Sequence, residues 1–321
     1  ITGATGHIGA NMVRGLLAQG FAVRALYHSP HKRAALEGLG ADLQACDVLD
    51  PASLHRAFAG MEAVIHLAGL ISIAGDPGGE VMRTNVEGTR QVVQACLDRG
   101  VRRLIHFSSI HAFQFSAREA RVTEDSPQAG AASFKYDQSK AASEAAALCG
   151  LAQGLEVVIL NPTAVIGPYS HAGAYAGQML IGLLQGRFPA LVRGGFDWVD
   201  ARDLVAGAAA ALQKGRSGQR YILSGHWASI AELADLCARF TGRTPPRLVL
   251  PIWAALLGLP LLQAYSFLAS TPPLYTYEAL MTLKHSNRHC SSEKARRELG
   301  YRPRPLEETV RDTLAWLKGY E

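Results

Sequence analysis

The sequence predicts a doubly wound α/β fold, a parallel sheet covered by helices on both faces, and three observations carry that prediction. Short apolar, β-prone runs alternate with helical stretches through the first half of the chain. Each helical stretch is long enough for the right-handed crossover that joins two parallel strands. A turn containing Gly3, Gly6 and Gly9 stands where the first run passes into the first helix, in the spacing GxxGxxG.

Strands are expected at residues 22–26, 42–45, 63–67, 103–107 and 156–159, and helices at 8–19, 51–58, 85–98 and 133–149. Ile1-Thr2 is too short for a strand by itself, so a few residues upstream are expected. Asp50 before Pro51 reads as an N-cap followed by proline at the first helical position. After Gly167-Pro168 the alternation weakens. A glycine-containing helix is expected at 170–185, another at 202–213 and a strand at 221–223, so part of the second half returns to the sheet. Ser229 with Glu232 three residues on forms a capping-box pattern for a helix at 229–240, which Thr241-Gly242 ends and Pro245-Pro246 follows. The division expected is a Rossmann-type dinucleotide domain at 1–166, with 195–225 partly returning to it, and a smaller, interleaved substrate-binding region at 167–194 and 226–321. No internal repeat is visible.

Composition excludes several classes. With 321 residues, 48% apolar and 18% charged, the chain is ordinary globular protein with a sizeable core. Five cysteines without a CxxC pair signal neither a disulfide framework nor a zinc site, and fit a reducing cytoplasm. A net charge of +5 without a long basic run gives nucleic-acid binding little support. The apolar stretch 248–269 is interrupted by Pro251, Gly258, Pro260 and Gln263, so it reads as buried or partner-facing helix, with contact at a membrane surface as the alternative to a span.

The candidate chemistry begins at the glycine turn, where glycine lets backbone N–H groups and a helix N-terminus approach a pyrophosphate. Gly3, Thr5, Gly6, His7, Ile8 and Gly9 are the residues expected there. No acidic residue ends the second strand to take a ribose 2′-hydroxyl. His28, Lys32 and Arg33, with Arg24, supply positive charge instead, which favours the 2′-phosphate of NADP, with NAD possible. Asp47 and Val48 follow the third strand, where they could meet the adenine, and Leu67, Ala68 and Gly69 end the fourth with small residues. His66 reads as a satisfied core histidine, and Asn85 either caps its helix or holds a bridging water.

Tyr136 and Lys140 share a helix face at i and i+4. A phenol titrating near about pH 10 serves as an acid/base when neighbouring positive charge stabilises its phenolate. Ser109, after Ser108 at the end of an apolar strand, would donate to a substrate oxygen. Asp137 and Ser139 are expected to face away.

On these motifs the chain resembles the extended short-chain dehydrogenase/reductase superfamily over nearly its whole length. The matching residues are 2–9, Asp47-Val48, 66–69, 84–89, Ser108-Ser109, 136–140 and Asn161-Pro162. The resemblance implies Ser109, Tyr136 and Lys140 as catalytic residues, Asn85 as support for a proton relay, Ser108, Tyr136 and Lys140 as residues that also bind the cofactor, and Asn161, Pro162 and Thr163 on the loop that positions the nicotinamide. Many members carry arginine where Asn161 stands, and several carry arginine for the NADP phosphate where this chain has His28. Within the superfamily the likeness is to the dihydroflavonol-reductase-like and 3β-hydroxysteroid-dehydrogenase-like group, on Asn161-Pro162, 195–203, 218–223 and 295–317. A homodimer is the expectation by analogy.

The function expected is NADP(H)-dependent interconversion of a ketone and a secondary alcohol on a fairly apolar small molecule. Tyr169, Tyr175, Phe188, Phe196 and Trp198 could line its pocket, with core packing as the competing reading. The alternative is a nucleotide-sugar epimerase or dehydratase with tightly bound NAD, in which Arg187, Arg193 and Arg202 would hold a diphosphate. A cofactor-binding regulator has no need of the serine, tyrosine and lysine together.

Overall fold

The computed structural model describes residues 1–114, 120–170, 175–268 and 276–320. Strands Arg24–Tyr27 and Asp42–Ala45 pair in parallel, and Ala63–His66, Arg103–Phe107, Glu156–Pro162 and Arg220–Leu223 form a second parallel set in that order. Residues 1–4 join the two sets. The Leu26 amide donates to the Ile1 carbonyl (2.9 Å), Ala4 to Leu26 (3.2 Å) and Thr2 to Ile65 (3.0 Å). The order across the sheet is therefore that of a doubly wound fold, third, second, first, fourth, with the later strands following. Its topological switch point lies between residues 1–4 and Ala63–His66, which is where such sheets bind ligands.

Both faces of this sheet are covered, as its unalternating strands require. Every residue of Arg103–Phe107 is buried, and so is all of Glu156–Pro162 after its first residue. On one face lie helices His7–Ala18, Ala201–Lys214 and Glu293–Leu299, with Met12, Leu16, Leu204 and Tyr301 in one cluster. Gly15 allows the first two to approach, since a Cβ there would sit 2.5 Å from Val205 Cγ1. On the other face Pro51–Ala57, Gly88–Asp98 and Lys135–Leu148 bring Leu54, Val92, Cys96 and Ala147 together.

A separate core gathers Trp198, Leu180, Leu233, Leu280 and Leu314 under helices Tyr175–Leu184, Ile230–Thr241, Ile252–Leu268, Tyr277–His285 and Leu306–Tyr320. Strand Gly195–Asp200 runs parallel to Ala164–Ile166 and antiparallel to His226–Ser229. The caps expected from sequence are present. The Asp50 carboxylate accepts from the Ala52 amide at 3.0 Å, Ser229 and Glu232 form a reciprocal capping box, and Gly242 takes φ 70° at the helix end. Several elements differ from expectation. The helix expected from residue 85 opens with a π-type turn, Arg83–Glu87, preceded by a short helix Glu80–Met82. Strand Ala22 onward starts later, at Arg24. The short strands Ala164–Ile166 and His226–Ser229 were not anticipated, because three or four residues carry too little pattern.

Candidate active site

The glycine turn stands at the switch point. Gly3 has φ +65°, and a Cβ there would lie 2.7 Å from the Ala68 amide nitrogen; a Cβ on Gly9 would be 2.7 Å from Ala4 Cα and closer still to the Gly3 carbonyl. Both glycines therefore let the helix and the neighbouring loop close on the strand. Gly6 is different: it opens the helix with no side-chain cap, and a Cβ there would meet only the Gly3 carbonyl, at 3.3 Å. Glycine at this position supplies no side-chain cap to the helix start, which suits an anionic group such as a pyrophosphate there. Thr5 and Ile8 lie half-buried along this turn. His7 Nε2 sits 3.1 Å from both the Gly167 and Pro168 carbonyls. Asn11 adds a bond to the Pro168 carbonyl at 2.8 Å, so the helix holds this loop down.

Beside the turn, a hydrogen-bond chain links the first strand to Asn85. The Thr2 hydroxyl accepts from the Leu67 and Ala68 amides (3.1 Å each) and donates to His66 Nδ1 (2.8 Å). His66 Nε2 then donates to Thr89 Oγ1 (3.1 Å), and the Thr89 hydroxyl to the Asn85 carbonyl (2.6 Å). This fixes His66 as a neutral core histidine, and burial lowers its pKa to about 3. Asn85, buried in the π-type turn, clamps the loop after the fourth strand: its Oδ1 accepts from the Leu70 amide (2.8 Å) and its Nδ2 donates to the Leu70 carbonyl and to Ser139 Oγ (both 2.9 Å). Ser139 therefore faces the site side of its helix, contrary to expectation. Gly69 lies in the gap between Asn85 and Lys140, where a Cβ would be 3.0 Å from Asn85 Oδ1 and 3.6 Å from Lys140 Nζ.

Ser109, Tyr136 and Lys140 converge at the end of strand Arg103–Phe107. Ser109 caps a 3₁₀ turn, its Oγ accepting from the His111 amide at 3.2 Å, and its hydroxyl also hydrogen-bonds the Tyr136 phenol. Lys140 Nζ reaches the Phe107 carbonyl at 3.4 Å. Burial raises the Tyr136 pKa above the ordinary phenol range, with the Ser109 bond opposing it. Burial lowers Lys140 to about 8, while the nearby Glu144 carboxylate acts the other way. Ser108 is buried beside them with no partner for its hydroxyl among the described residues.

Two supports were absent from the sequence reading. Glu144 follows Lys140 by another four residues, a spacing that could have revealed it. Fully buried, it accepts from Asn161 Nδ2 (2.6 Å), Gln128 Nε2 (2.7 Å) and Arg220 Nε (2.5 Å). Asn161 Nδ2 also donates to the Ser109 carbonyl at 3.0 Å, so Asn161 stands behind the serine. Asp137 is buried and bonds His111 Nδ1 at 2.8 Å, with the His111 ring 5.4 Å from that of Tyr136. No local signal marked that pairing.

The remaining expected residues are placed as follows. Val48 packs on Gly88, and Asp47 accepts from the Leu49 amide at 2.9 Å and lies 3.7 Å from His28 Nε2. His28, Lys32 and Arg33 are exposed around the end of strand Arg24–Tyr27, Arg33 beside Glu37 at 3.3 Å. Arg24 is instead committed to Asp42 at 2.6 Å and to the Ala57 carbonyl at 2.9 Å. Pro162 ends its strand, and the Thr163 hydroxyl donates to the buried Asp197 at 2.6 Å. Of the aromatic set, Trp198 is core, donating to the Ala228 carbonyl and packing edge-on to Phe196, and Phe188 packs against the same core. Tyr169 stacks on Arg14, 4.3 Å away, and the Tyr175 side chain lies outside the described residues. Arg202 is paired with Asp200 at 2.7 Å and Asp312 at 2.8 Å.

Residues 1–224 match the profile of the NAD dependent epimerase/dehydratase family. The sterol demethylase protein B of Methylococcus capsulatus is 34% identical over 99% of this chain and 97% of its own. A putative dihydroflavonol 4-reductase of Synechocystis is 29% identical over 100% of this chain and 94% of its own. The crystal structure of gox2253 superposes with a TM-score of 0.86 at 30% identity, covering 99% of this chain and 97% of the other. The chain thus belongs to the NAD dependent epimerase/dehydratase family, within the extended short-chain dehydrogenases/reductases, and is an NAD(P)-dependent enzyme.

Proposed function

We propose that this enzyme interconverts a ketone and a secondary alcohol on a fairly apolar small molecule, with NADP(H) as its preferred cofactor and Ser109, Tyr136 and Lys140 as its catalytic residues. The observation that carries the reading is the shared location of these three side chains beside the glycine turn. The chemistry of the nicotinamide, when bound, is hydride transfer to or from the carbinol carbon. The Gly3 to Gly9 turn with the uncapped helix start would hold the pyrophosphate, and Leu67, Ala68 and Gly69 would lie along the ribose.

In the reductive direction the Ser109 hydroxyl turns from the Tyr136 phenol to donate to the substrate oxygen, while its own oxygen accepts from the His111 amide. Tyr136 then gives its proton to that oxygen. Its burial keeps it protonated in the resting protein, the form that ketone reduction needs. Lys140, when protonated, eases the transfer by stabilising the phenolate left behind. Asn85 and Asn161 serve as positioning residues, holding the Leu70 loop and the Ser109 backbone.

Preference for NADP(H) rests on exposed Lys32, Arg33 and His28 around the second strand end, where no acidic residue follows Tyr27. The apolar substrate class is supported by relatives named for sterol and flavonol chemistry. The nucleotide-sugar reading is weakened because one of its three arginines, Arg202, is occupied by Asp200 and Asp312. Purified enzyme with a panel of cyclic ketones and NADPH tests the choice. Stoichiometric NADPH loss is the expected result; tightly retained NAD that is not consumed, with turnover of a nucleotide sugar, would overturn it. Lys32→Glu with Arg33→Glu should raise the KM for NADPH roughly tenfold or more and leave that for NADH nearly unchanged.

A further inference from the structure

The 30 residues 248–277 contain no Asp, Glu, Lys or Arg, a gap bounded by Arg247 and Glu278. Within it, helix Ile252–Leu268 is apolar all round. A soluble helix of that kind belongs inside a core, and one face does so: Ile252, Ala255, Leu256 and Leu259 pack on the second core. The opposite face is open. Trp253 is 65% and Leu257 73% exposed, one turn apart, with exposed Pro260 beyond and Leu248 (57%) and Val249 (37%) just before the helix. Four of the eight large apolar side chains exposed among the described residues thus fall within ten consecutive residues, a concentration that single scattered side chains do not show.

Exposed Arg243 and Arg247 stand at the edge of the patch, and neither makes an ion pair among the described residues. Arg243 lies 3.9 Å from where a Gly186 Cβ would sit, which brings it beside exposed Arg187. An apolar face rimmed by arginines and free of acids matches a lipid headgroup boundary, where the apolar side chains enter the acyl region and the guanidinium groups meet phosphates. No helix among the described residues is long and apolar enough to cross a membrane, so the fit is to a surface. A second copy fits poorly. A two-fold contact through this patch would set the same arginines of both copies near each other, with no acid in the run to pair them.

We propose that the face formed by Leu248, Val249, Trp253 and Leu257 docks on an anionic lipid bilayer, with Arg243 and Arg247 engaging the headgroups. The proposal stands apart from the reaction assigned above, because its test reads binding and not turnover. The full chain should co-sediment with phosphatidylcholine vesicles containing phosphatidylglycerol, and the Trp253 emission should shift to the blue. Trp253→Ser with Leu257→Ser should weaken that partitioning roughly tenfold or more, with an unchanged thermal midpoint, since both side chains are exposed. Arg243→Ser with Arg247→Ser should abolish the preference for anionic over pure phosphatidylcholine vesicles. Absence of co-sedimentation, or binding unaffected by the Trp253 and Leu257 changes, would overturn the proposal. So would a vesicle-indifferent dimer that Leu257→Gln converts to monomer by light scattering, since the face would then belong to a second copy.

Discussion

At the scale of single residues, the proposed chemistry centres on the buried helix face running from Tyr136 through Lys140 to Glu144. Tyr136→Phe keeps the ring and removes the proton, so kcat should fall by about 10²- to 10⁴-fold while cofactor affinity holds. Steady-state turnover alongside cofactor fluorescence titration checks both halves. Glu144 answers a different question. Its carboxylate meets Arg220, Gln128 and Asn161, so Glu144→Ala leaves a half-buried guanidinium and the buried Asn161 amide without this acceptor. The expected loss is about 3–5 kcal/mol of stability, measured by denaturant unfolding. A mild variant stands beside it: Glu144→Gln should retain more of the fold than alanine does, because the amide oxygen still accepts.

At the scale of elements, the first helix and its glycines form one unit. A methyl group on Gly9 would press on Ala4 Cα at 2.7 Å and on the Gly3 carbonyl, both backbone atoms that cannot rotate away. Gly9→Ala should therefore separate helix from strand, cost about 1–3 kcal/mol by overpacking, and weaken cofactor binding in the same preparation. Differential scanning fluorimetry with and without NADPH reads both. The helix Ile230–Thr241 lies far along the chain from that unit, and its capping box makes a contrast. Ser229→Ala should cost about 1 kcal/mol and leave cofactor binding as it was. The π-type turn Arg83–Glu87 is a third device at this scale, seating Asn85 where its amide spans the Leu70 backbone and Ser139.

At the scale of the whole molecule, buried titratable groups couple stability to pH. Burial lowers Lys140 to about 8, so above that the native state releases a proton that the unfolded chain retains until about 10.4. At this group the unfolded state then binds more protons, so Lys140 contributes a rise in stability between roughly 8 and 10. The thiols of Cys46, Cys96, Cys237 and Cys290, held protonated by burial in the native state only, oppose that rise. Above about 10 the raised Tyr136 pKa reverses the slope, because only the unfolded phenol ionises there. On the acid side, His66 and His106 are both held neutral by burial, and stability falls as pH drops below about 6.5, where the unfolded histidines take up protons. Thermal melts across this range should show the acid-side fall, and Lys140→Met should remove the rising contribution between roughly 8 and 10, leaving the melting temperature falling more steeply with pH there than in the parent.

The amino-acid sequence by itself determined the alternation of strands and helices, the glycine turn, the capping boxes and the spacing of Tyr136 and Lys140, because each of these is written in residues close together. The helix period places Tyr136 and Lys140 on one face wherever that helix sits, and Asp50-Pro51 or Ser229 with Glu232 cap locally. Only the tertiary structure decided which side chains are free to act. Arg24 and Arg202 look alike in sequence as cations near a ligand, yet Asp42, 18 residues on, takes one, and neighbouring Asp200 together with Asp312, 110 residues away, takes the other. His7 turns to carbonyls 160 residues along the chain, and Asn161 reaches back 52 residues to Ser109. The aromatic residues Phe188, Phe196 and Trp198, a plausible pocket as a list, pack together with residues of the distant helices Ile230–Thr241 and Leu306–Tyr320 in one core. Pattern reads the period of a segment, whereas commitment of a charge or a ring depends on what folding brings against it.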